Sequence, residues 1–211
     1  MKISRLQYIT DNAIHAEAAC KGGIEWIQLR VKNKGEEEWM KIAESTKGIC
    51  KKYNAKLIVN DSVKLAKLIG ADGVHLGKED MPPDEARHLL GNNFIIGGTA
   101  NTFEDIQRLA LLKVDYMGLG PFRFTKTKEK LSPVLGLQGY IDLIKECETN
   151  NISLPIIAIG GIQLNDIETL LASGVYGVAV SSAISESTDI SAAAQMFINK
   201  IENNVLCKTA N

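Results

Sequence analysis

At 211 residues and 45% hydrophobic, the chain is long enough for one large core; single α/β barrels run to about 200–250 residues, so one domain over 1–211 is expected. With 24 basic and 25 acidic residues the formal charge is −1, which gives no global attraction to nucleic acid or an anionic membrane, so any anion recognition must be local. No apolar run approaches the ~18 residues of a membrane helix, the start MKISRLQYITD lacks a signal-peptide apolar region, and Cys20, Cys50, Cys147 and Cys207 show no CxxC or metal-ligand spacing, which predicts a soluble, cytoplasmic protein with reduced thiols.

In chain order, short apolar runs recur at LQYIT (6–10), IEWIQLRV (24–31), KLIVN (56–60), DGVHLG (72–77), FIIGGT (94–99), VDYMGLG (114–120), PIIAIGG (155–161) and YGVAVSS (176–182). Amphipathic stretches such as EEEWMKIAESTKGICKKY and DIETLLASG lie between them, and Gly22-Gly23, Gly70, Gly91 and Gly174 fall where helix C-caps are needed. About eight βα units in this length predict a compact (β/α)₈ TIM barrel. An open doubly wound sheet is the competing architecture; it would normally use fewer strands, and no G-x-G-x-x-G sits in the first βα turn. In a barrel, chemistry belongs at the C-terminal strand ends and the loops after them.

The second run carries the first unusual pattern. In WIQLRVK, Ile27, Leu29 and Val31 share one face, while Gln28, Arg30 and Lys32 share the other, which in a barrel points to the lumen. Two cations there need opposite charge, or else a partly solvated edge with snorkelling side chains. An anion clamp meets that need, with Arg30 suited to a bidentate phosphate contact and Lys32 to a point charge. The third run ends at Asn60, on the parity of Ile58, and Asp61 opens its loop; Asp61 or Ser62 could also simply cap the helix SVKLAKLIG. Asp80 lies three residues past Gly77, at the end of the next run, and has less reason to be a cap because Pro82-Pro83-Asp84 supplies its own helix start. Adjacent strands lie ~4.8 Å apart, so Asp61 and Asp80 rim one mouth, a pair of hard oxygen ligands suited to Mg²⁺ on a polyphosphate. His75 shares the inward parity below the rim and reads as a hydrogen-bonded core histidine. Farther along, GPFRFTKTKEK presents Thr125, Lys126, Thr127 and Lys128, either as a solvated basic loop or as an anion contact. AIGGI and VSSAIS end the last two runs, where Gly161, Ser181 and Ser182 are suited to cradle a phosphate.

The pieces QLRVK, VND, HLGKED, GGTANT, GLGPFRFTKTK, AIGGI and SSAIS, in this order, resemble the thiamine phosphate synthase family over essentially the whole chain. The resemblance implies a (β/α)₈ barrel that joins a pyrimidine methyl diphosphate to a thiazole phosphate with release of pyrophosphate and with Mg²⁺ as cofactor. It implies that Gln28 touches the aminopyrimidine and that Arg30, Lys32, Asn60 and Lys128 hold the diphosphate. Asp61 and Asp80 would bind Mg²⁺, Thr125 and Thr127 would face the thiazole, and Gly161, Ser181 and Ser182 would surround its phosphate. Thr99 stands where the family usually has Ser, Asn101 where a histidine is often seen, and Phe124 where Pro commonly precedes the Thr-x-Thr-Lys run, with Arg123 an added charge. Competing readings are a thiazole tautomerase relative, a non-catalytic thiazole-phosphate-binding protein and a sugar-phosphate isomerase or aldolase barrel. The intact Gln-x-Arg-x-Lys and paired Asp sets favour the synthase, with small-molecule substrates as its partners. Pairing of exposed helices into a homodimer is left open.

Overall fold

The computed structural model describes residues 3–124 and 133–209. Strands β1 (Leu6–Thr10), β2 (Trp26–Leu29), β3 (Lys56–Asn60), β4 (Gly73–Leu76), β5 (Ile95–Ala100), β6 (Tyr116–Leu119), β7 (Ile156–Ile159) and β8 (Gly177–Val180) run parallel. They pair in chain order, and β8 returns to β1 through Leu6 opposite Val178, so the sheet is a closed barrel with no free edge. This is the (β/α)₈ architecture, not the open sheet.

Helices α1 (Ala13–Lys21), α2 (Glu36–Lys52), α3 (Val63–Leu68), α4 (Pro83–Leu90), α5 (Phe103–Leu111), α6 (Gly136–Thr149), α7 (Ile167–Ala172), α8 (Ser182–Ser185) and α9 (Ile190–Thr209) surround it. Their starts follow from local chemistry. Asn12 accepts from the N–H groups of Ile14 and His15, Ser62 accepts from Leu65 N–H, and Thr102 with Asp105 forms a capping box on α5. Each such cap is worth about 1 kcal/mol. Pro83 occupies the first turn of α4, where its missing N–H is harmless. Gly23, Gly70, Gly91 and Gly174 take positive φ just past helix ends, as their positions before strands predict. Among the described residues no helix is long and apolar enough to cross a membrane.

Two apolar layers hold the barrel. Leu6, Ile27, Leu29, Leu57, Val59, Val74 and Leu76 face outward beneath the helices, while Ile9, Trp26, Ile58, Ile95, Tyr116, Ile157 and Ala179 fill the lumen. Each fully buried Ile or Leu contributes roughly 1.5–3 kcal/mol. The regular strands are shorter than the apolar runs. β2 stops at Leu29, because its neighbour β1 ends at Thr10; the last bond across that pair is Arg30 N–H to the Thr10 carbonyl, 2.9 Å. Lys32 therefore lies beyond the strand and exposed on the rim, not on an inward strand face.

Candidate active site

The alternation in β2 that puts Ile27 and Leu29 outward turns Trp26 and Gln28 into the lumen, where Gln28 is buried. Gln28 Nε2 donates to Gln7 Oε1 (3.0 Å), and Gln7 Nε2 donates to the Tyr116 hydroxyl (3.2 Å). That hydroxyl lies 3.0 Å from His75 Nδ1, and His75 Nε2 lies 3.0 Å from Thr99 Oγ1. His75 is therefore the hydrogen-bonded core histidine that its parity implied. The chain of bonds crosses the lumen and surfaces at half-buried Thr99. Gln7 and Tyr116 were not singled out from sequence, although Gln7 is a polar residue on the inward parity of LQYIT, the same signal that marked Gln28. Burial holds the Tyr116 hydroxyl above its ordinary range, so it is neutral.

Above this layer stand the carboxylates. Asp61 follows β3 with φ 64°, fixed by its N–H bonding the His75 carbonyl at 2.8 Å. It does not cap α3, because Ser62 does. Asp80 folds back over its own strand end, where Gly77 N–H donates to Oδ2 at 2.6 Å; a Cβ at Gly77 would stand 3.0 Å from that oxygen. Asp80 caps no helix either, since α4 starts at Pro83 without a side-chain cap. Desolvation pushes the Asp61 carboxyl up and neighbouring Asp80 adds to the push, against Arg30 and Lys32, leaving it at about 6. Asp61 is open to solvent from above, which screens part of that repulsion. The four charged groups marked in the sequence thus meet at one place, and buried Asn60 stands beside them at the end of β3. Two carboxylates facing each other form a donor set suited to a hard divalent ion that takes its remaining ligands from phosphate oxygens and water.

On the far side of the mouth, Gly160 and Gly161 leave β7 at φ 100° and 67°. Added Cβ atoms would meet Pro121 Cβ at 2.7 Å and Arg123 Cβ at 2.9 Å, so the close approach that requires glycine here is to the loop after β6. Arg123, an added charge in the sequence, forks onto the Asp166 carboxylate and also donates to the Gly161 carbonyl at 3.2 Å. This ties the loop after β6 to the start of α7. Ser181 follows β8, and its carbonyl accepts from Ile184 and Ser185 N–H to open the first turn of α8 at Ser182. Lys78 pairs with Asp105 at 2.6 Å, and Asn101 donates to the Gly120 carbonyl; both bonds brace loops at the rim. Thr125, Thr127 and Lys128 lie outside the described residues.

A family model described as Thiamine monophosphate synthase matches residues 4–184. The thiamine-phosphate synthase of Flavobacterium johnsoniae is 48% identical over 209 residues, covering 96% of this chain and 99% of that protein. The thiamine-phosphate synthase of Bacteroides thetaiotaomicron is 48% identical over 200 residues, covering 92% of this chain and 96% of its own. Among solved structures, the thiamine phosphate pyrophosphorylase from Pyrococcus furiosus superposes with a TM-score of 0.84 at 30% identity, covering 95% of this chain and 96% of that one.

Proposed function

The chain belongs to the thiamine monophosphate synthase family, and from that premise we propose how the residues at its barrel mouth divide the work. The enzyme is a transferase of thiamine biosynthesis that couples 4-amino-5-hydroxymethyl-2-methylpyrimidine diphosphate with 4-methyl-5-(2-hydroxyethyl)thiazole phosphate. The bond from the pyrimidine methylene to the diphosphate oxygen breaks, a bond from that carbon to the thiazole nitrogen forms, and thiamine phosphate and pyrophosphate leave.

In our reading Gln28 and Thr99 contact the aminopyrimidine, and Arg30, Lys32, Asn60 and Lys128 hold the diphosphate. Asp61 and Asp80 hold Mg²⁺. Thr125 and Thr127 face the thiazole, and Gly161, Ser181 and Ser182 surround its phosphate. Mg²⁺, when bound, neutralises charge on the diphosphate. The electron-rich pyrimidine can bear a developing methylene cation, so the residues have no proton to abstract; they stabilise the leaving group and position the nucleophile. The Arg30 guanidinium can grip two phosphate oxygens at once, and the Lys32 and Lys128 ammoniums add charge as it grows on pyrophosphate. We take the whole chain, 1–211, as one barrel domain working in the cytoplasm, with pairing into a homodimer through exposed helices left to measurement.

The observation that carries the metal and diphosphate assignment is the meeting of Asp61 and Asp80 beside Arg30 and Lys32. The test is to mix both substrates with Mg²⁺ and follow pyrophosphate and thiamine phosphate. Asp61→Asn and Asp80→Asn each should lower Mg²⁺-dependent turnover by at least ~100-fold, the scale of losing a charge-stabilising group. Near-normal turnover in either would remove that residue from the metal site.

A further inference from the structure

The lumen below the mouth is built around the ring pair of His75 and Tyr116. A Cβ at Gly97 would stand 2.2 Å from Tyr116 Cζ and 2.6 Å from His75 Nδ1, and one at Gly118 would stand 3.0 Å from His75 Cε1. Barrel interiors are usually filled by branched apolar side chains at such positions. Here β5 and β6 give up side chains to admit two polar rings, and hydrogen bonds join the pair to Gln7 and Gln28 on one side and to Thr99 on the other.

The donor and acceptor sense of these bonds follows from their members. Gln7 Nε2 donates to the Tyr116 oxygen, which leaves the tyrosine's own hydrogen able to go to His75 Nδ1. In that tautomer His75 donates from Nε2 to Thr99 Oγ1, and the threonine hydrogen points elsewhere. At the other end Gln28 commits Nε2 to Gln7, and Oε1 is its acceptor. A 4-aminopyrimidine has an amino donor for the Gln28 acceptor and ring-nitrogen acceptors for the Thr99 hydroxyl.

We infer that Gln7, Tyr116 and His75 are positioning residues that set the hydrogen-bonding sense of Gln28 and Thr99 toward the aminopyrimidine. The inference rests on reading Gln28 and Thr99 as pyrimidine contacts. None of the three touches substrate; they act by fixing one amide and one hydroxyl before the pyrimidine arrives.

Steady-state kinetics with each substrate varied in turn tests this. Tyr116→Phe keeps the ring edge against Trp26, 4.9 Å between centroids, and removes only the hydroxyl. The KM for the pyrimidine diphosphate should rise about five- to ten-fold, the effect of one misdirected hydrogen bond, with the thiazole phosphate KM within about two-fold. Gln7→Met, which cuts the line at a different bond, should give the same pattern and decides the matter if Tyr116→Phe does not fold. In a background carrying both Gln28→Ala and Thr99→Val, Tyr116→Phe should raise the pyrimidine KM no further, while its loss of Tm persists, because the buried Gln7 and His75 groups still lack their partner. A purely structural hydroxyl would instead move both KM values together or raise the pyrimidine KM further in that double background. If Gln28→Ala and Thr99→Val raise the pyrimidine KM but Tyr116→Phe and Gln7→Met do not, the positioning role is overturned and the contacts stand. If Gln28→Ala and Thr99→Val leave it unchanged, the reading of these two residues as contacts falls, and the positioning role with it.

Discussion

Asp61 occupies the left-handed region at φ 64°, where Asn and Asp are tolerated and a residue such as Ala is strained by roughly 1–2 kcal/mol. Two substitutions therefore separate backbone from charge. Asp61→Asn and Asp61→Ala should both lose Mg²⁺-dependent turnover, but urea unfolding should find Asp61→Ala the less stable by about 1 kcal/mol; equal midpoints would count against the strained backbone. The carboxyl itself is held at about 6, above the ordinary ~3.9 of an unfolded chain. Its contribution to stability is thus present in full below about pH 4 and lost as pH rises through about 6. Without metal, the wild-type protein should lose stability relative to Asp61→Asn as pH goes from about 4.5 to 7. Parallel stability curves would show that burial and Asp80 do not hold the Asp61 carboxyl above its ordinary range.

At the scale of elements, caps and strand order were legible while loop-to-loop bonds were not. Asn12, Ser62, Thr102 and Pro83 start their helices by chemistry confined to one turn, which sequence spacing shows directly. Strand limits are set by neighbours, so IEWIQLRV yields only Trp26–Leu29 once β1 stops at Thr10. Arg123 in sequence is a stray charge; only the folded barrel puts Asp166 within reach of it. The guanidinium beside Asp166 holds that carboxyl below the usual range. A depressed carboxylate gives stability above its unfolded pKa and loses it as pH falls through the folded value. Arg123→Leu should therefore lower the urea midpoint at pH 7, by about 1 kcal/mol or less since the arginine is half exposed, and by less at pH 3. A loss of the same size at both pH values would assign the effect to packing over the Phe122 ring, 4.6 Å from the guanidinium carbon.

At the scale of the whole molecule, closure of the barrel turns parity and strand order into a site. Asp61 and Asp80 meet because β3 and β4 pair as consecutive strands, and this much the sequence carried. The bond line through Gln7 and Tyr116 joins β1, β2, β4, β5 and β6, and no spacing along the chain reveals it. The same closure limits what the site can do alone. Among the described residues no three His, Cys, Asp or Glu side chains gather as a metal cluster, so Mg²⁺ on the proposed carboxylate pair would take its other ligands from phosphate oxygens and water. Metal and phosphate should then stabilise the fold jointly. A ligand at about 100 times its Kd adds ~2.7 kcal/mol, and a chain of this length gains ~2–4 °C in Tm per kcal/mol. Mg²⁺ with inorganic pyrophosphate, each in large excess, should raise Tm by about 5–10 °C, whereas Mg²⁺ alone or pyrophosphate with EDTA should each give a small fraction of that. A full shift from Mg²⁺ alone would mean further protein ligands, and a full shift from pyrophosphate in EDTA would mean that Arg30 and the lysines hold the anion without the metal.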